Sequence, residues 1–209
     1  MEKIGIQLGY KYLIGVDEVG RGPLAGPVAV GAFVIPVVHM KEVRKLFRGV
    51  RESKQLTEVE REEWFKKVLN VKKMGLIDYR VTFNSEKIID ARGLSHAIKS
   101  ALERSVGGIE FRGNRIAPDE SRVLLDGGLK APIEYIDQKT IIKGDEKEMV
   151  IALASICAKV LRDRKMVKFT KVYPGYGFHV HKGYGTKAHY GAIKKRGMCP
   201  IHRRSFLGK

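Results

Sequence analysis

The chain has 209 residues and a formal net charge of +17, because 40 lysines and arginines face 23 aspartates and glutamates. With 44% hydrophobic and 30% charged residues, it has the composition of a folded protein. Its charge favours a polyanionic partner without choosing between DNA, RNA and an acidic membrane surface. Two isolated cysteines, Cys157 and Cys199, exclude a disulfide framework and a cysteine-rich zinc site. Since the apolar runs are too short to cross a membrane, we expect a cytoplasmic protein.

The first third of the chain predicts two strands and a helix. A short β-prone run covers 12–16, a Gly/Pro loop follows over 20–27, and the Val-rich stretch 28–35 is typical of a buried strand. A helix is predicted over 57–70, since Thr57 and Glu60 have the spacing of a capping box and an apolar stripe follows.

The remainder alternates between strands and helices. Residues 77–83 predict a half-buried strand, 88–106 a helix with Gly93 inside it, 107–120 a polar loop, and 122–125 and 138–142 two short strands. The strongest helix runs from 149 to about 168, and a last one from 186 to 196 with Gly197 as its stop. This alternation indicates an α/β fold, a sheet with helices packed on it.

Acidic residues follow three of the predicted strands. Asp17 and Glu18 end the first, and Asp126 and Asp145 follow two later ones. If these strands are neighbours, their carboxylates meet at one edge of the sheet and repel each other unless protonated or bound to cations. Carboxylate oxygens suit Mg²⁺ or Mn²⁺, and a pair of such ions is the usual apparatus of phosphodiester cleavage. The alternative is that these acids lie on the surface and serve solubility alone.

The segment Gly20-Arg21-Gly22 begins a run that fits the dinucleotide-binding pattern G-x-G-x-x-A. That pattern must open a helix, whereas here Pro23 and Pro27 interrupt it and a strand follows. A nucleotide cofactor is therefore disfavoured, and a tight loop whose backbone approaches nucleic acid closely is favoured.

The strongest helix carries Ser155, Lys159 and Asp163 on one face, four residues apart. This spacing favours a solvated stripe with one Lys159–Asp163 ion pair, and the alternative is a phosphate-binding face. Downstream, aromatic residues among cations and glycines over 173–187 suit stacking on nucleic acid, while His179 and His181 alone do not make a zinc site.

Long motifs in this chain resemble the type 2 ribonuclease H family, specifically bacterial ribonuclease HII. The first is YLIGVDEVGRGPLAGPV over 12–28, followed by SKQL at 53–56, LLDG at 124–127 and KGD at 143–145. ASICAKVLRD at 154–163, YGF at 176–178, HKGYGT at 181–186 and HRRSF at 202–206 complete the series. The resemblance covers nearly the whole chain, from about residue 12 to residue 206.

The resemblance implies a ribonuclease H fold, a mixed sheet flanked by helices with a helical C-terminal part. It implies an endonuclease that hydrolyses the RNA strand of RNA–DNA hybrids and nicks duplex DNA 5′ of a single embedded ribonucleotide, leaving 3′-hydroxyl and 5′-phosphate ends. The implied catalytic and metal-binding residues, for Mg²⁺ or Mn²⁺ in a two-metal site, are Asp17, Glu18, Asp126 and Asp145. The implied substrate-binding residues are Gly20, Arg21, Gly22 and Tyr184, of which Tyr184 works with the glycine loop on the ribose. We add three expected substrate-binding residues, Lys54, Ser155 and Lys159, of which Ser155 and Lys159 would hold the phosphate chain from the helix.

Two departures from the family pattern stand out. Glu52 replaces the usual Asp before the Ser-Lys pair, and Gly93-Leu94 replaces Asn-Ile. Asp163 also lies in a family motif and is the reserve candidate for the role of Asp145.

We expect a single domain over 1–209, with a catalytic core to about 170 and a substrate-contacting segment over about 171–209. We expect a monomer, and the sequence contains no recognisable sliding-clamp motif.

Three alternative interpretations remain open at this point. Ribonuclease HIII shares the core but carries an extra N-terminal domain, and only about ten residues precede Tyr12 here. The other two are a non-catalytic nucleic-acid binder and a nucleotide-cofactor enzyme.

Overall fold

The computed structural model describes residues 9–208, which build a five-stranded mixed sheet covered by helices on both faces. The strands are β1 (Tyr12–Val19), β2 (Val28–Pro36), β3 (Asp78–Asn84), β6 (Ser121–Asp126) and β7 (Gln138–Ile141), and a separate hairpin joins β4 (Glu110–Phe111) to β5 (Asn114–Arg115). The order across the sheet is β3-β2-β1-β6-β7. The pairs β3–β2 and β2–β1 are antiparallel, whereas β1–β6 and β6–β7 are parallel. The carboxyl ends of β1, β6 and β7 therefore lie at one edge.

Nine α-helical segments lie within 9–208. They are α1 (Met40–Leu46), α2 (Glu58–Lys73), α3 (Glu86–Arg92), α4 (Leu94–Gly107), α5 (Gly144–Lys147), α6 (Met149–Val172), α7 (Phe178–His181), α8 (Lys187–Arg196) and α9 (Arg204–Leu207). The longest, α6, packs on β1 and β2, and α4 packs on β2 and β3. None of the helices in this part of the chain is both long and apolar enough to cross a membrane.

Most predicted elements are confirmed. Helix α2 begins after Thr57, whose side chain accepts from the Glu60 amide while the Glu60 carboxylate accepts from the Thr57 amide, so the capping box is present. The unbroken helix predicted over 88–106 is wrong, because Gly93 adopts a φ of 84° and separates α3 from α4. The predicted loop 107–120 contains the β4–β5 hairpin, and α1 was not predicted.

Two glycines let α6 lie directly against the sheet. A β-carbon on Gly15 of β1 would overlap the carbonyl group of Val150, and one on Gly31 of β2 would overlap the carbonyl oxygen of Ala154. The overlaps are with helix backbone, which cannot swing aside as a flexible side chain can. The close contact brings the first half of α6 next to the end of β1.

Successive side chains of β1 point alternately into two separate apolar clusters. Leu13 joins the apolar cluster under α6 and α2, whereas Ile14 and Val16 join the cluster under α4. Cys157 is fully buried in the first cluster. This alternation also decides which way the acidic residues at the end of β1 point.

The loop between β1 and β2 is fastened to the C-terminal part of the chain. Ala25 forms a β-bridge with His202, the Gly26 amide donates to the Ile201 carbonyl at 2.8 Å, and the Leu24 amide donates to the Gly183 carbonyl at 2.8 Å. A small apolar cluster lies beneath this junction.

Candidate active site

Three carboxylates meet at the carboxyl edge of the sheet. Asp17 lies near the end of β1, Asp126 is the last residue of β6, and Asp145 lies in α5, directly after β7. Carboxylate oxygens of these residues all lie within 4.8 Å of one another. The Gly144 amide donates to Asp126 Oδ1 at 2.6 Å, which fixes the start of α5 against the end of β6. Strands far apart in sequence thus place three acids together.

Glu18 stands beside this trio rather than in it. The sequence led us to expect four acids at one point, but successive strand residues point to opposite faces, so Glu18 leaves β1 on the other side from Asp17. Its Oε1 accepts from Arg21 Nη1 at 2.9 Å. Its Oε2 is buried and has no hydrogen-bond partner among residues 9–208. A buried carboxylate oxygen without a partner is costly, so this oxygen suits a hydrogen-bond donor or a cation.

Asp17, Glu18 and Asp145 lie in an environment that disfavours their charged forms. Burial raises the pKa of Asp17 to about 8, and the charges of Glu18, Asp126 and Asp145 add to the effect. Burial also raises the pKa of Glu18 and of Asp145, with Asp126 contributing to both. Hard oxygen donors crowded in this way fit a divalent cation such as Mg²⁺ or Mn²⁺, whose charge would restore the ionised forms.

Ser155 lies behind Asp17 on α6. Its hydroxyl oxygen is 2.8 Å from that of Ser53, and its proximity offsets part of the pKa shift of Asp17. At 2% exposure, Ser155 faces Asp17 and Ser53 rather than open solvent.

Lys54 crosses the mouth of the site. Its Nζ is 3.5 Å from Asp145 Oδ2 and 3.2 Å from Glu52 Oε1, while 78% of its side chain stays exposed. Glu52, which departs from the family pattern, is buried and thus helps to place the Lys54 ammonium beside the acids.

The face of α6 that carries Ser155, Lys159 and Asp163 is not the solvated stripe that helical spacing favours. Ser155 and Asp163 are buried, and Lys159 is only 18% exposed. The predicted ion pair is present, with Lys159 Nζ 2.9 Å from Asp163 Oδ1. Asp163 is engaged there, outside the acidic trio, so Asp145 rather than Asp163 completes the cluster.

Tyr184 lies between Lys159 and the glycine loop. Lys159 Nζ is 5.7 Å from the centre of the Tyr184 ring, and a β-carbon on Gly22 would be 4.0 Å from ring atom Cε1. Gly22 and Arg21 are exposed, and 41% of Tyr184 is exposed. A partly exposed aromatic ring therefore lies next to an exposed backbone turn, which begins two residues after Glu18.

A family model described as Ribonuclease HII matches residues 14–209. The chain belongs to the ribonuclease HII family. Ribonuclease HII from Acetivibrio thermocellus is 44% identical over 98% of this chain and 73% of the relative, and that from Clostridioides difficile is 43% identical over 99% and 74%. Ribonucleases HII cleave the RNA of RNA–DNA hybrids and remove ribonucleotides from DNA, so this chain is an endonuclease of that kind.

Solved structures agree with the ribonuclease HII assignment. Ribonuclease H2 from Pyrococcus horikoshii superposes with a TM-score of 0.69 at 27% identity, covering 93% of both chains. An Archaeoglobus fulgidus RNase HII, solved in complex with PCNA, gives a TM-score of 0.69 at 23% identity over 94% of this chain and 95% of that one. The second likeness supports the fold alone. The predicted ribonuclease H fold with a helical C-terminal part is confirmed.

Sequence reasoning missed two buried arginines of this ribonuclease HII chain. Arg162 and Arg203 are both 0% exposed and donate to backbone carbonyls around the glycine loop. Both lie in the motifs that carry the family resemblance. The motif sequences alone do not distinguish a buried arginine from one that binds phosphate.

Proposed function

We propose that this enzyme nicks duplex DNA on the 5′ side of single embedded ribonucleotides, besides cutting RNA–DNA hybrids, and leaves 3′-hydroxyl and 5′-phosphate ends. The observation that carries the proposal is the juxtaposition of the acidic trio with an open glycine turn against Tyr184. The trio offers a place for hydrolysis of a phosphodiester. The glycine turn and the Tyr184 ring offer a surface that contacts the adjacent sugar, and we call this surface the sugar reader. A 2′-hydroxyl is the group that distinguishes RNA from DNA at such a place.

Asp17, Asp126 and Asp145 would hold the divalent ions, with Glu18 as the fourth carboxylate. Bound Mg²⁺ or Mn²⁺ ions would supply the positive charge that in-line cleavage of a phosphodiester requires. One oxygen of Glu18 has no partner within the described residues 9–208, so it can accept a proton or a hydrogen bond at the reacting group. Asp126 is held by the Gly144 amide, which keeps its second oxygen available to the site.

The remaining predicted residues divide by position. Lys54 is placed to meet a phosphate beside the acids, since its ammonium lies 3.5 Å from Asp145 and most of its side chain is exposed. Lys159, which is largely buried and paired with Asp163, would meet a phosphate near Tyr184. The burial of Ser155 favours a role in orienting Asp17 over direct contact with the substrate. Gly20, Arg21, Gly22 and Tyr184 form the sugar reader.

The C-terminal segment is proposed to carry the duplex. Helix α8 ends in Lys194, Lys195 and Arg196, all exposed or partly exposed, and basic side chains on a surface bind the phosphate backbone through counterion release. We propose that 171–209 packs on the catalytic core as part of one domain and extends the substrate surface beyond the acids.

A cleavage assay on three end-labelled duplexes tests this proposal. The duplexes are all-DNA, DNA with one ribonucleotide, and RNA–DNA hybrid, each incubated in EDTA, Mg²⁺ or Mn²⁺. We expect one metal-dependent nick 5′ of the lone ribonucleotide, cleavage of the hybrid, and no product from all-DNA. Asp126→Asn should bind the duplexes and cut none of them. Salt-sensitive binding without cleavage by the unsubstituted protein would instead show a non-catalytic binder.

A further inference from the structure

Arg203 contacts the glycine loop from inside the protein. Its guanidinium donates to the carbonyl oxygens of Gly20 at 2.6 Å, Arg21 at 2.8 Å and Gly26 at 2.9 Å. All three acceptors belong to the β1–β2 loop. Arg203 is 0% exposed and has no carboxylate within ion-pair distance among residues 9–208. A buried cation without a carboxylate partner is costly, and apolar side chains of similar volume stabilise a fold as well or better.

These hydrogen bonds determine where the loop's own donors point. In a trans peptide the carbonyl and the following N–H point in opposite directions. With the Gly20 carbonyl turned in toward Arg203, the Arg21 N–H points outward, and the Arg21 carbonyl does the same for the Gly22 N–H. Neither N–H has a backbone acceptor within residues 9–208, and both residues are exposed. Arg203 therefore aims two consecutive free donors at the surface beside Tyr184.

Arg203 also belongs to the segment that holds Tyr184. Its neighbour His202 places Nε2 3.1 Å from Nε2 of His189, and His189 Nδ1 is 2.9 Å from the Tyr184 carbonyl oxygen. The Arg203 amide donates to the Leu24 carbonyl at 2.8 Å, which ties the same segment to the loop. The two halves of the sugar reader are thus fixed relative to each other through residues 202 and 203.

Arg162 supports the other end of the loop. It donates to the carbonyls of Pro27 at 2.9 Å, Ala25 at 3.3 Å and Lys182 at 3.1 Å. Arg162 donates to neither the Gly20 carbonyl nor the Arg21 carbonyl, which orient the two free N–H groups. Arg162 also requires glycine at position 20, since a β-carbon there would collide with the Arg162 guanidinium.

We propose that Arg203 is a positioning residue for specificity: by holding the Gly20 and Arg21 carbonyls inward, it presents the Arg21 and Gly22 amides to a lone ribonucleotide beside Tyr184. The inference rests on the proposed function, in which this loop reads the sugar. It assigns to one buried side chain the difference between recognising a single ribonucleotide in DNA and cutting a continuous RNA strand. In a hybrid many registers can bring ribose to the acids, so cleavage there depends less on an aligned turn.

The test compares kcat and KM of Arg203→Lys on the single-ribonucleotide duplex and on the RNA–DNA hybrid. Lysine keeps the charge but loses the planar fork that spans three carbonyls. We expect kcat/KM on the single-ribonucleotide duplex to fall about tenfold or more relative to the hybrid, the scale of one lost charged hydrogen bond. Arg204→Lys is the matched control, because Arg204 is the adjacent, exposed arginine, and it should leave the ratio unchanged.

Binding measured in EDTA gives a second readout. Unsubstituted protein should prefer the single-ribonucleotide duplex to all-DNA, and Arg203→Lys should lose that preference while still binding both. An equal fall in activity on both substrates, or no change in their ratio, would overturn the inference and leave Arg203 a structural residue.

The failure of a variant to fold is also decisive. If Arg203→Lys does not fold, Arg203→Gln, which removes the buried charge, takes its place. If neither folds, the residue serves stability and the inference is wrong. If the unsubstituted protein cuts the hybrid but never nicks at a lone ribonucleotide, it is the proposed function that fails.

Discussion

Replacing Asp17 by Asn should make the metal-free protein more stable near neutral pH, although it removes a proposed metal ligand. Burial and the neighbouring acids raise the pKa of Asp17 from 3.8 to about 8. A carboxyl with a raised folded-state pKa contributes its full stability below the unfolded value, and this contribution is lost as pH rises through the folded value. The window of the effect therefore runs from about pH 4 to about pH 8.

The difference between the two pKa values sets the size of the effect. At about 1.4 kcal/mol for each pKa unit, ionising Asp17 costs about 4 kcal/mol at pH 7 and about 6 kcal/mol above pH 8. Asn keeps the size and cannot ionise. For a chain of this length, about 4 kcal/mol corresponds to a rise in Tm of about 10 °C.

The assay is thermal unfolding in EDTA at pH 5, 7 and 9, repeated with Mg²⁺ or Mn²⁺. Tm of the unsubstituted protein should fall with rising pH more steeply than Tm of Asp17→Asn, and metal should raise the first more than the second. Asp137→Asn is the matched control, because Asp137 is exposed. Equal pH slopes for the unsubstituted protein and Asp17→Asn, or a less stable Asp17→Asn at pH 9, would refute the reasoning.

Three further predictions follow from single contacts. Gly15→Ala should lower the free energy of unfolding by about 1–3 kcal/mol in a denaturant titration, since its β-carbon would press on Val150, whereas Gly128→Ala, in open space, should not. Tyr184→Ala should reduce nicking at a lone ribonucleotide more than hybrid cleavage, measured on the two labelled duplexes, and equal losses would count against a sugar reader. Thr57→Ala should cost about 1 kcal/mol of the same free energy by removing the cap of α2, and an unchanged denaturation midpoint would argue against that cap.

Helices and strands can be predicted from the sequence wherever local side-chain chemistry determines them. The capping box at Thr57 starts α2 because two side chains one turn apart satisfy the free amides there. One helix was predicted over 88–106, despite Gly93, because the apolar stripe continues across that glycine, and a stripe reports burial rather than backbone continuity. Local pattern thus predicts the elements better than their interruptions.

The candidate site is predictable to the extent that strand ends carry its acids. Asp17, Asp126 and Asp145 come together because parallel strands share one edge, a rule that needs no contact information. Glu18 lies apart from the other three acids because successive strand residues point to opposite faces. That separation could also have been predicted from the sequence. The burial of Arg162 and Arg203 could not be predicted, because their partners are backbone carbonyls, which no side-chain pattern in the sequence reveals.

The fastening of the loop by Arg203 has a consequence for the order in which the enzyme is built. Gly20 and Arg203 are 183 positions apart, so during synthesis the loop emerges long before its anchor. Contacts that close such a long stretch of chain form late, because the entropy of closing it must be overcome first. We expect the Gly26 amide, which donates to Ile201, to gain protection in pulsed hydrogen exchange after the amides of the central sheet. Early protection at that amide would contradict this order. In this order, a nascent chain forms the edge that carries its acids before the β1–β2 loop, the proposed sugar-binding loop, is anchored.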